Sequence, residues 1–240
     1  MMRSGDTTEA AFLPAIHALH LGEVTARYGV PSRKLLAECS LLGRDLTQPD
    51  ERISIATAEH IADSAVAMTG EPALPWLLGV QMRISAYGYL GFAAMVASTI
   101  GDALTLVSHF TPTRTNAVGL RLVVDGTTAM VVIDELAPLD GAREMIVIAL
   151  MESIRQLGRA LTGKSLVGTL ELAAPEPPYF ARLLRDGAVS PARFDCTENR
   201  IVFDAAILDL PLVNADPSAL RMATASCERE LARVRDVRRT

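Results

Sequence analysis

Apolar residues recur at helical spacing over the first 110 positions, and the pattern then changes to β-rich runs. Residues 10–28 carry Phe12, Ile16, Leu19 and Val24 near helical spacing. A second helix starts at Pro31 or Ser32, turns Leu35, Leu36 and Cys39 inward, and stops at Gly43. After Pro49, residues 53–68 repeat Ile53, Ala56, Ile61, Ala65 and Met68, with Gly70 as the stop. Residues 73–83 suit a short helix and residues 88–97 a buried one. Ser98 or Thr99 caps a helix over 100–110, with Asp102 well placed in its first turn.

Residues 117–124 and 128–134 are rich in β-formers and flank Asp125-Gly126, a strong hairpin signal. A long helix follows over 140–161, with Met145, Ile148, Leu150, Ile154, Leu157 and Leu161 mostly on one side, and Gly163 ends it. Next come a strand at 166–172, a loop forced by Pro175, Pro177 and Pro178, and a short helix at 179–186. Short strands at 192–196 and 200–204 precede a final helix at 218–238. The pattern predicts an α+β fold: a helical N-terminal part, then a small antiparallel sheet packed with a long helix. Residues 1–110 form the helical subdomain, 111–215 an α+β subdomain of the same unit, and 216–240 a terminal helix.

Half of the 240 residues are hydrophobic and 21% are charged, so the chain can bury a large core. The net charge of −5 gives the chain as a whole no basic, nucleic-acid-binding character. From Arg221 onward, however, six arginines (221, 229, 233, 235, 238 and 239) accompany three acids, so this segment is basic on an acidic body. Such an end marks either an approach to DNA or a solvated helix face. Cys39, Cys196 and Cys227 are odd in number and show no CxxC spacing, which fits a reducing cytoplasm. The N-terminus lacks the apolar core of a signal peptide, and the apolar stretches 89–97 and 145–151 are too short to span a bilayer. A cytoplasmic location with no membrane partner is expected.

Gly158 to Ser165 matches the phosphate-loop pattern GxxxxGK[ST]. That loop needs a strand before it and a helix after it, which aims backbone N–H groups and the helix dipole at phosphates. Here the order is reversed, so Gly163 reads as a helix end and Lys164 as solvated. Residues 22–42 resemble a helix-turn-helix, but the second helix offers only Arg33 and Lys34 before Leu35-Leu36-Ala37. A packed helical pair fits better. His17 and His20 share a helix face at i, i+3; without a third ligand they read as a surface pair, and no metal is expected. Neither GxSxG nor HExxH occurs, so no catalytic residue or cofactor is assigned. The run Tyr87-Gly88-Tyr89-Leu90-Gly91-Phe92 is the most unusual local feature. Its glycines permit close packing or a sharp turn. Its aromatics either line a pocket or belong to the core. Arg83 and Arg114 either pair with an acidic ligand or lie on the surface.

Several stretches, taken in order, carry a resemblance. They are Leu35-Leu36 with Leu41-Leu42-Gly43; Pro49 with Arg52-Ile53; Gly70-Glu71-Pro72 with Leu77-Leu78-Gly79; and Tyr87-Gly88-Tyr89-Leu90-Gly91. Ser98-Thr99-Ile100-Gly101-Asp102-Ala103-Leu104 follows, then Leu161-Thr162-Gly163, Pro175, Tyr179, Phe194, Asn199 and Leu210-Pro211-Leu212. Over roughly residues 15–230 this order and spacing resembles the N-terminal, arabinose-binding-like region of bacterial AraC/XylS-type transcription regulators. The resemblance implies a cytoplasmic regulator whose N-terminal domain senses a small molecule and often dimerises. It also implies a C-terminal domain with two helix-turn-helix motifs, for which nothing after Arg221 leaves room. The arginine-rich end resembles the linker helix leading toward that missing domain.

The expected function is therefore an effector-sensing and dimerisation domain. It would bind a small-molecule effector less polar than a sugar, work as a homodimer, and meet DNA only through the missing C-terminal domain. Arg83, Tyr87, Tyr89, His109 and Arg114 are the expected ligand-binding residues, because they lie where the helical part meets the first hairpin. The alternative is a small cytoplasmic hydrolase or acyl-transfer enzyme that sets Ser98 or Cys39 beside His109. A naturally truncated regulator that forms inactive heterodimers with a full-length relative is a third reading.

Overall fold

The computed structural model describes residues 10–187, 189 and 191–237. The first nine residues and Arg238 and Arg239 of the basic end lie outside them. The first element is not the expected helix but a short strand, β1 (Phe12–Pro14). It pairs antiparallel with β2 (Arg52–Ser54). Its three residues are all buried, the signature of a strand covered on both faces. Its backbone is satisfied from far along the chain: Phe12 N–H donates to Asn116 Oδ1 at 2.9 Å, and the Thr115 hydroxyl donates to the Phe12 carbonyl at 2.5 Å.

Helix α1 (Ile16–Ala26) and α2 (Ser32–Glu38) form the expected packed pair, set against α3 (Ile55–Thr69) and, through α1, α4 (Leu74–Gln81). Helix α3 is capped by Ser54, whose hydroxyl accepts from Thr57 N–H at 3.1 Å, and ends on left-handed Gly70. The buried Glu71 carboxylate accepts from Ala73 N–H at 2.9 Å at the start of α4 and from Arg182 at 2.6 Å. Helices α5 (Gly88–Val96) and α6 (Ile100–Phe110) follow.

Strands β3 (Val118–Asp125) and β4 (Thr128–Glu135) form the expected hairpin, turning at Gly126 with φ 57°. With β5 (Gly168–Glu171), β6 (Ala192–Arg193) and β7 (Asn199–Asp204) they make a five-stranded sheet of order β3-β4-β7-β5-β6. All pairs are antiparallel except β5–β6, which is parallel. Strand β6 is shorter than its pattern predicts, and Asp195 just beyond it has a left-handed φ of 54° that breaks the extended backbone.

The long helix α7 (Arg143–Thr162) packs on α4 and against β7, and left-handed Gly163 ends it. A strand follows that end, so the phosphate-loop pattern is a helix C-cap here. Helices α8 (Phe180–Arg185) and α9 (Pro217–Val237) complete the chain. One hydrophobic cluster joins Leu35 and Trp76 of the helical part to Val131, Met151 and Leu170, so the two stretches share a core. Among the described residues no helix is long and apolar enough to cross a membrane.

Candidate ligand-binding site

A cavity of about 200 Å³ lies inside the helical layer, walled mainly by α1, α5, α6 and α7 with β3 closing one side. Its longest wall is α7. Ile146, Leu150, Ile154, Leu157 and Leu161 recur every three or four residues and form one stripe that faces the space. These side chains are only partly buried, whereas Val147, Ile148 and Met151 on the other side of the helix are buried in the core. The single apolar side expected of this helix is thus divided between core and cavity.

The polar wall residues are His17, Tyr87, Thr111, Arg114 and Thr115, and no wall residue is acidic. The two threonine hydroxyls are used up on backbone carbonyls, Thr111 on Val107 at 2.6 Å and Thr115 on Phe12. The Ser153 hydroxyl donates to the Leu150 carbonyl at 2.8 Å, so in its 3.0 Å contact with Ser153 the Tyr87 hydroxyl is the donor. Burial holds Tyr87 above the usual phenol range. Arg114 reaches the backbone carbonyls of Pro49 (3.3 Å) and Ala86 (3.4 Å), and its buried Nε has no partner. Burial pulls its pKa down while Glu230 and Asp50 oppose the shift; a guanidinium stays charged throughout.

His17 sits 6.1 Å from the Tyr87 ring and 6.5 Å from the His20 ring, and its Nδ1 is buried without a partner. Burial, helped by the charges of His20 and Arg114, pushes its pKa down to about 3. It is therefore neutral near pH 7. An unfolded histidine titrates near 6.5, so below that pH the unfolded chain takes up a proton that His17 in the folded chain does not. Stability falls as the pH drops from about 6.5 toward 3. At about pH 5 the loss should be on the order of 1–2 kcal/mol. Urea midpoints of wild type and His17→Leu at about pH 7.5 and 5 check this, the variant being the less pH-sensitive of the two.

The loop before α5 brings Tyr87 to this wall. Gly88 has φ 58° and ψ −136°, a conformation open to glycine and closed to other residues. A Cβ on Gly91 would lie 2.1 Å from the Ile84 carbonyl oxygen, so the 3₁₀ turn Ile84–Tyr87 rests directly on the α5 backbone.

Of the residues expected at the site, Tyr87 and Arg114 are on the cavity wall. The other three lie outside it. Arg83 is exposed and paired with Glu23 at 3.0 Å. Tyr89 is exposed on the outer side of α5. His109 is exposed, edge-on to Phe110 and 4.0 Å from Glu228 of α9. His17 joins the site instead of forming a surface pair, and His20 is buried with its pKa lowered by burial. For the enzyme alternative, Cys39 is buried in the core against Ser64, and burial raises its thiol pKa, away from a reactive thiolate. Among the described residues no group of three or more His, Cys, Asp or Glu could hold a metal ion.

Helix α9 lies over this wall. Its Ala223, Cys227 and Leu231 pack on Leu90 and Ala93 of α5 and Phe110 of α6, with Val107 at the edge of the cluster. Leu90 and Val107 also line the cavity.

A family model, the arabinose-binding domain at the N-terminus of AraC transcription regulators, matches residues 29–212. The chain belongs to this family. The ornithine utilization regulator of Pseudomonas aeruginosa is similar at 28% identity over 223 residues, which cover 93% of this chain and 66% of that protein. An uncharacterized helix-turn-helix-type transcriptional regulator of Mycobacterium tuberculosis is 23% identical over 87% of this chain and 62% of its own length. The chain thus spans just under two thirds of these relatives. The crystal structure of the transcriptional regulator CdpR from Pseudomonas aeruginosa has the same fold, with a TM-score of 0.59 at 19% identity over 74% of this chain and 59% of that one.

In this AraC-family domain the shared motifs have local physical roles. Thr99 caps α6, accepting from Asp102 N–H at 3.1 Å and donating to its carboxylate at 3.0 Å. The Leu210-Pro211-Leu212 segment straps the α5–α6 junction: Ile100 N–H donates to the Leu210 carbonyl and Leu212 N–H to the Ser98 carbonyl, both at 3.1 Å. Leu212 then packs on Ala94, Ile100 and Ala103, whose other neighbour is the cavity.

Proposed function

We propose that the chain is the effector-sensing and dimerisation unit of a cytoplasmic AraC-type regulator. A small molecule of low polarity occupies the cavity and alters DNA binding by a C-terminal domain attached beyond α9. One observation carries this reading: Leu90 and Val107 belong both to the cavity wall and to the cluster that holds α9. A ligand pressed against them favours one seating of the terminal helix over another. It acts only through its different affinities for the two arrangements. In a homodimer, that shift changes how the two attached DNA-binding domains are presented.

The test is a thermal-shift panel of acids, amines, aromatics and sugars on wild type and Leu150→Trp. An effector at a hundred times its Kd stabilises the chain by about 2.7 kcal/mol. The indole at position 150 fills the space and should remove the shift. A panel that never moves the melting temperature sinks the sensor reading, and a shift retained in Leu150→Trp puts the ligand elsewhere.

A further inference from the structure

We infer that the cavity takes an amphipathic monocarboxylate of roughly eight to ten non-hydrogen atoms, with its carboxylate on Arg114 beside His17 and its apolar body along the α7 stripe. The size follows from comparison with an apolar cavity of about 150 Å³ that holds benzene; this one, at about 200 Å³, is somewhat larger. The inference rests on the reading of the cavity as the effector site and adds the chemical class of the effector.

The wall decides the class by what its polar groups still have to give. The Thr111, Thr115 and Tyr87 hydroxyl hydrogens are already committed to protein acceptors. Among the fully buried side-chain polar atoms of the wall residues, Arg114 Nε and His17 Nδ1 have no partner. Arg114 is the one cation on the wall, and among the described residues it makes no direct ion pair. Its hydrogen bonds to backbone carbonyls are long, at 3.3 and 3.4 Å. Its acidic neighbours Glu230 and Asp50 act on this partly buried guanidinium without a direct ion pair, and a ligand carboxylate would add direct contact with matching planar geometry. The imidazole of His17 adds a neutral polar neighbour. Beyond this polar end the rest of the wall is aliphatic or alanine and glycine, apart from Met82 and Met145. An alkyl or arylalkyl body fits such a surface.

Other classes fit worse. A sugar carries many hydroxyls, and a wall this largely aliphatic has few polar groups to satisfy them. A basic amino acid carries an ammonium group, and the wall offers no acid to receive it. Ornithine, which appears in the name of one relative, is therefore not the expected effector here.

Calorimetry on the 240-residue chain with octanoate, 1-octanol, octylamine and L-ornithine tests this. Octanoate is expected to bind about ten- to hundredfold more tightly than octanol, octylamine more weakly still, and ornithine not at all. Arg114→Gln should reduce octanoate to the level of octanol. If octanol equals or exceeds octanoate, the carboxylate assignment is wrong while the effector-site reading stands. If ornithine or octylamine binds most tightly, the class is wrong and the reading again stands. If no probe binds, the effector-site reading fails and the inference fails with it. The comparison of ligands on wild type decides the matter even if Arg114→Gln does not fold.

Discussion

Gly91→Ala is expected to destabilise the chain by about 2–4 kcal/mol, against the trend for its position. In the interior of a helix, alanine is ordinarily favoured over glycine by about 1 kcal/mol. Gly91 lies within α5, so propensity alone predicts a gain. The contact reverses the sign. The added Cβ would lie 2.1 Å from the Ile84 carbonyl oxygen and 3.1 Å from Tyr87 Cβ. A backbone carbonyl cannot swing aside as a long side chain does. Relief requires moving the whole 3₁₀ turn, which is pinned by Ala86 N–H to the Arg83 carbonyl at 3.0 Å and by the glycine-only conformation of Gly88. Overpacking of this kind costs about 1–3 kcal/mol and sometimes more. The same turn presents Tyr87 and the Ala86 carbonyl that Arg114 uses, so the damage extends to the polar end of the cavity. Urea denaturation of Gly91→Ala measures the effect. Gly101→Ala is a fitting comparison, because its added Cβ would lie 3.2 Å from the Leu208 carbonyl oxygen and so should cost much less. A higher midpoint for Gly91→Ala would show that the turn is free to move.

The elements legible in the sequence are those that carry their own local signals. Gly70 ends α3, Thr99 with Asp102 starts α6, Asp125-Gly126 turns the hairpin, and Gly163 closes α7. Strands β1 and β2 were not legible, because each is three residues long and finds its partner far away in the chain. Nothing local distinguishes Phe12-Leu13-Pro14 from the first turn of a helix. The parallel edge pair β5–β6 is similarly a matter of long-range placement.

The cavity was hidden for a different reason. A stripe such as Leu150, Ile154 and Leu157 shows which side of a helix is apolar, but the same stripe serves a neighbouring side chain or an empty space. Side-chain direction decided the rest. Tyr87 ends the turn and faces inward, while Tyr89, in the first turn of α5, faces out. His17 and His20 at i, i+3 looked like a solvated pair, yet Pro14, Ala18 and Leu21 around them line the cavity too. That apolar company was the available sign that this face turns inward.

Leu231→Ala should release the terminal helix while leaving the rest of the domain folded. Helix α9 is held by the stripe Ala223, Cys227 and Leu231, spaced four residues apart on one face, and Leu231 is the largest of the three. A 21-residue helix rich in charge is only marginally stable in water by itself, so docking supplies most of its order. Truncating a buried leucine costs about 2–5 kcal/mol. If that loss falls on docking alone, amide exchange along α9 accelerates by roughly 30- to 5000-fold, while amides of α7 and β4 keep their protection. The same variant tests the link between cavity and helix. Linkage is reciprocal: if an effector changes the docking equilibrium of α9 by some factor, undocking must change effector affinity by that factor. Leu90 and Val107 are the shared surface through which this would act. Faster α9 exchange with unchanged effector affinity would mean that the two faces of α5 and α6 respond independently, and the proposed signal would then have to leave the cavity by another wall. Faster α9 exchange together with altered affinity would make α9 the moving part of the sensor, because its stripe packs on Leu90, which also lines the cavity.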